Sequence, residues 1–340
     1  MDNILNILSG GNKNEGWIVG PTYDRLFFVF PWIFGIFFPL LYLVLHRYSG
    51  LSDDTTIKIV FFCYLTFLNL PHVYLTYIRS NFDAKEFYRR KNFHTWTPIL
   101  FLISGIPIYF YDTHDLFFLF YPILGPWHAM RQDWGFLKLY RLKYNEKDNE
   151  KLDYWFFHGQ RILIMLTFQI FHVLNYFKIT TRLSFFDNIL SVSLVLIISF
   201  TIYVLFQVRK GLNHKKNLFL IGNSFGYLLL VWGILLNLPP LIFITLIGSY
   251  HDIQYQAWMN HYTKRRFGQK ANRYYPPVIK ALLVFSAITA FSFVFFRDYR
   301  FIVILHSLIV LFHYFIDGKI WKFSRSKELS CTYSADRATA

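Results

Sequence analysis

Runs of about twenty apolar residues recur along this chain. Each is long enough to cross a bilayer as one helix, because a rise of about 1.5 Å per residue covers a hydrocarbon core roughly 30 Å thick. About ten such segments can be marked, over residues 26–46, 57–78, 97–111, 115–137, 155–177, 189–208, 217–236, 238–262, 278–296 and 301–321. Composition agrees: 54% of the residues are hydrophobic, 16% are charged and the mean hydropathy is +0.31, values that suit a polytopic membrane protein better than a water-soluble domain. The expected fold class is all-α, a transmembrane helical bundle of about ten spans. A short arm over 1–25 precedes a single transmembrane domain over 26–322, and a polar tail fills 323–340. The first apolar run is already full length and no small-residue cleavage motif follows it, so no cleavable signal peptide is expected.

A net charge of +15 would suit nucleic acid, but its distribution points elsewhere. Lys and Arg collect in alternate loops: Arg79 to Lys91 after the second span, Lys138 to Lys151 after the fourth, Arg209 to Lys216 after the sixth, Lys264 to Arg273 after the eighth and Lys319 to Lys327 after the tenth. The loops between them are poor in basic residues. By the positive-inside rule both termini are cytoplasmic, and every even-numbered span runs from outside to inside. The expected location is an integral, multi-pass one, the inner membrane if the source is bacterial, with no nucleic-acid partner. Cys63 and Cys331 form no CxxC pair and no disulfide framework.

Ionisable groups at membrane depth cost several kcal/mol unless they face a partner, a metal or a wet cavity. The last span nevertheless carries His306, His313 and Asp317. Steps of seven and eleven residues at about 100° each return to nearly one direction, so the three share a stripe. The second span stacks Asn69, His72, Thr76 and Arg79 on one face, with Pro71 just before His72. In the fourth, Pro122, Gly125 and Pro126 bend the helix before His128 and Gln132. The eighth holds His251, Asp252, Gln254, Tyr255 and His261, too polar a run for packing alone. On the fifth, His158, Arg161, Gln169 and His172 face one way, and Arg161 suits an anionic headgroup, a carboxylate or a snorkelling position. Asp112, His114 and Asp115 read as a solvated outer loop.

Topology turns these positions into a site. His72, His128, His251 and His313 come from four even-numbered spans and fall toward the cytoplasmic side, with Asp317 one turn below His313. Four imidazoles presented by separate helices are the ligand set of a first-row metal in a helical bundle. Iron, one or two ions, is the expected cofactor, since structural zinc usually comes with cysteine. Asp317, Gln132, Gln254 and Tyr255 are the candidate catalytic groups, and Arg161 and Thr76 the candidate substrate contacts. The expected activity is that of a membrane oxidoreductase or oxygenase on a lipid or other apolar substrate, with a redox partner at the cytoplasmic face. Two other classes fit the same residues: a proton-coupled transporter using His and Asp as a relay, and a lipid transferase with a histidine base.

In kind, the design resembles the polytopic membrane oxygenases and desaturases that hold iron with histidines. The HxxxH and HxxHH boxes of fatty-acid hydroxylases and desaturases and the DxxxD of prenyltransferases do not occur in it. Dispersed histidines in a helical frame are also the likeness to carotenoid-cleaving membrane dioxygenases.

Overall fold

The structure, a computed structural model, describes residues 16–110, 114–144, 146, 150–155, 157–159, 162, 184–209, 214–236, 238–296 and 300–320. Among them every regular element is a helix. The principal ones are α1 (Phe37–Tyr48), α2 (Asp53–Tyr64), α3 (Leu70–Tyr77), α4 (Ala84–Arg89), α5 (Lys91–Phe110), α6 (His114–Lys143), α7 (Ser184–Arg209), α8 (His214–Leu235), α9 (Pro240–Phe267), α10 (Gln269–Phe295) and α11 (Arg300–Ile320). Among the described residues four segments are long and apolar enough to cross a membrane: Asp53–Asn81, Lys91–Phe110, Pro276–Phe295 and Phe301–Ile320. The pair Pro21–Val29 and Trp32–Tyr48, bent by 43°, makes a fifth if it counts as one span. Most of the expected arm, the tail, Asp112, and Arg161, Gln169 and His172 of the expected fifth span lie outside the described residues.

The helices gather into two compact units, one of residues 1–57 and 121–254, the other of 58–120 and 255–340, so that α9 passes from the first to the second after Gln254.

In the first unit, the chain turns into its opening helix around Asp24, whose buried carboxylate accepts the backbone N–H groups of Ile18, Val19 and Gly20 at 2.7, 3.0 and 3.2 Å. The Tyr140 hydroxyl of α6 donates to the same carboxylate at 2.9 Å. Residues Arg25–Val29 form a widened π-helical turn, and Pro31 breaks the helix beyond it. Gln254 Nε2 and the Tyr250 hydroxyl supply donors to the Phe28 carbonyl in that turn, at 2.8 and 3.2 Å. α8 crosses here so closely that a Cβ on Gly222 would meet the Val29 carbonyl oxygen at 2.1 Å, which only glycine avoids. The core is Ile197, Leu230, Val231, Phe243 and Leu246. Buried Asp153 pairs with Arg141 and Lys216 at 2.6 and 2.8 Å, and Lys216 also holds Glu146 at 2.6 Å.

The second unit bends the strand of helices that carries His72. Pro71 has no N–H to give the carbonyl one turn back, and the helix widens to a π turn over Leu65–Asn69. The Gln256 side chain of α9 supplies the donor, to the Leu68 carbonyl at 2.8 Å and the Phe67 carbonyl at 3.5 Å. Past α3 a second π turn, Ile78–Phe82, leads to Asp83, which caps α4 by accepting the N–H groups of Lys85 and Glu86. Glu86 is buried among Arg79, Arg89 and Arg90, and Arg79 lies over the Tyr262 ring at 4.6 Å. Phe312, Ile316 and Ile320 pack with Tyr77, Phe93 and Phe101, while Leu75, Tyr255 and Met259 form a second cluster. Between α3, α5, α10 and α11 lies an apolar cavity of about 510 Å³, whose lining includes Tyr74, Tyr77, Phe101, Leu282, Leu308 and Phe312.

Candidate metal centre

Each unit supplies a pair of histidines. In the second, α3 presents His72 and α11 presents His313, their rings edge to face with centroids 4.4 Å apart. In the first, His128 of α6 and His251 of α9 meet the same way at 4.9 Å. Within each pair, a ring nitrogen of one histidine lies within 4.8 Å of a ring nitrogen of the other. The donor set fits a metal. Bonds near 2.1 Å put opposite ligand nitrogens at most about 4.2 Å apart, so a small ring rotation lets both rings of a pair reach one ion. These histidines could therefore hold a metal ion.

Around the second unit's pair the polar contacts are dense. His313, fully buried, places Nδ1 at 2.8 Å from Thr76 Oγ1 and Nε2 at 3.8 Å from Asp317 Oδ2. Thr76 and Tyr255 both donate to Asp317 Oδ1, at 2.9 and 3.0 Å, and their own oxygens are 2.6 Å apart. The Tyr255 ring stands edge-on to His72 at 4.3 Å. A buried carboxylate with two hydroxyl donors and an imidazole beside it is an arrangement that can orient a ligand or hold a proton.

In the first unit Gln132 donates to the His251 carbonyl at 3.2 Å, one turn along α6 from His128, and so ties the two ligand-bearing helices together. A small cavity of about 40 Å³ touches His251, Asp133, Asn223 and Tyr250. Gln254 gives its amide to Phe28 as a helix support. Arg161 lies outside the described residues.

Four other histidines among the described residues take local partners. His306, on the expected stripe, stacks on Phe293 at 4.1 Å, and His158 stacks on Tyr154 at 4.0 Å with Nδ1 on the Tyr154 carbonyl at 2.9 Å. His46 stacks on Tyr42, and His94 on Phe87. Sequence reasoning missed Gln256. Its only signal in the sequence was its place on a polar helix.

Comparison with known proteins finds no match: no protein family, no curated protein and no solved structure corresponds to this chain.

Proposed function

We propose that the chain is an integral membrane, iron-dependent oxidoreductase or oxygenase acting on a lipid or another apolar substrate. In this reading about ten spans cross the membrane, both termini are cytoplasmic, and a redox partner docks on that face. One observation carries it: in each unit two imidazoles from different helices bring ligand nitrogens within 4.8 Å of each other. Neutral imidazoles suit first-row metals, and a set without cysteine favours iron over structural zinc. Bound there, iron would supply the binding and reduction of dioxygen. The chain's own groups supply the rest. Tyr255 and Asp317 keep a proton donor and a carboxylate beside His72 and His313. The apolar cavity of about 510 Å³ has the size of a ligand pocket. It suits a hydrocarbon chain, since the Tyr74 and Tyr77 hydroxyls on its wall are spent on Thr289 and on the Ile309 carbonyl.

Elemental analysis of full-length protein purified in mild detergent tests the reading. Stoichiometric iron is expected, and loss of it in His72→Ala and in His251→Ala. A wild-type protein that holds no iron, manganese, zinc or copper and takes none up on reconstitution would sink it. That outcome, joined to a pH-dependent transport lost in Asp317→Asn, would favour a proton relay instead.

A further inference from the structure

The Thr76 hydroxyl touches three groups: Asp317 Oδ1 at 2.9 Å, Tyr255 Oη at 2.6 Å and His313 Nδ1 at 2.8 Å. A hydroxyl owns one hydrogen and accepts on two lone pairs. Thr76 gives its hydrogen to Asp317, which as a carboxylate only accepts; the single Tyr255 hydrogen is shared between Asp317 Oδ1 and Thr76 Oγ1, and the remaining lone pair of Oγ1 is left for His313. The hydrogen between Thr76 and His313 must then sit on Nδ1. A neutral imidazole protonated at Nδ1 carries its free lone pair on Nε2, the position a metal takes. The other tautomer serves each group worse. Thr76 would turn its hydrogen to Nδ1 and abandon Asp317, while the hydrogen on Nε2 would face Asp317 Oδ2 at 3.8 Å, beyond hydrogen-bond range. Thr76 and His313 are fully buried, so water does not compete for these contacts.

We infer that Thr76 is a positioning residue: it passes the charge of Asp317 on to His313, fixes the hydrogen on Nδ1, and presents Nε2 to the ion. The presentation to an ion rests on the metal reading above, whereas the tautomer does not. Such hydroxyl or carboxylate supports behind a ligating histidine are typically worth 10–100-fold in metal affinity.

Two measurements on the full-length protein separate the possibilities. Nitrogen NMR of histidine-labelled, metal-free protein, with His313 assigned by its loss in His313→Gln, reads the tautomer; chelator competition on metal-loaded protein reads affinity. Wild type is expected to show hydrogen on Nδ1 of His313. Thr76→Val, which keeps the shape and removes the hydroxyl, should lose that preference and weaken metal retention about 10 to 100-fold; Thr76→Ser should restore both. Should Thr76→Val fail to fold, Thr76→Ala carries the same comparison. A wild-type His313 with its hydrogen on Nε2, or a Thr76→Val protein that merely melts earlier with tautomer and retention unchanged, overturns the inference. A wild type that binds no metal but shows the Thr76-dependent tautomer upholds the role of Thr76 and removes the metal reading alone.

Discussion

Asp317 receives two hydroxyls on one oxygen, from Thr76 and Tyr255, and the two have different consequences when removed. Tyr255→Phe keeps the ring against His72 and deletes one donor to a carboxylate. Hydrogen bonds to charged groups contribute about 1.5–3 kcal/mol, so unfolding by SDS titration should show a loss of that order. Asp317 keeps Thr76, and the His313 tautomer should not change. A stability equal to wild type would mean that the Tyr255 hydroxyl is not held as found. Residues differ in how far the sequence discloses them. His72, His128, His251 and His313 stand out because an imidazole inside an apolar run needs a reason, and the charge alternation of the loops predicts that the four lie toward one side. Thr76 does not stand out in that way. A threonine in a helix is ordinary, and its bond to Asp317 spans 241 positions. Spacing also misleads at this scale: His306 shares the azimuth of His313, but seven residues are about 10 Å along the axis, and there it stacks on Phe293.

The helix break at Pro71 is an element-scale device, with a cause at each end. The proline removes a donor, the turn over Leu65–Asn69 widens, and the Gln256 amide fills the gap from another helix. π turns of this kind are frequent at functional sites, and this one sets the direction of the segment that presents His72. Gln256→Leu would leave the Phe67 and Leu68 carbonyls without that donor, at about 0.5–1.5 kcal/mol for a part-buried hydrogen bond between neutral groups. Amide exchange over residues 66–77 should quicken, and retention of the metal should fall because His72 follows the turn. Unchanged exchange there would mean that Gln256 does not brace the break. The kink itself is legible from Pro71. Its brace is not, because nothing local to 65–71 names a residue 188 positions away.

For the whole molecule, apolar periodicity locates helices but not which of them pack together. The chain read as one run of spans resolves into two compact units, each made of sequence-distant segments. Orientation comes from the loops instead. With Cys63→Ser as background, a cysteine placed at position 3 and the native Cys331 should both resist an impermeant thiol reagent in intact cells; labelling of one alone would break the even span count and scatter the four histidines across the membrane. The Asp24 cradle carries a further consequence, for biosynthesis. Its last partner, Tyr140, lies 116 residues downstream. At 5–20 residues per second the ribosome needs roughly 6 to 23 s to cover that distance. For that interval the opening helix of the nascent protein holds a carboxylate short of its fourth donor, so its first segment settles finally only when the sixth helix has been made.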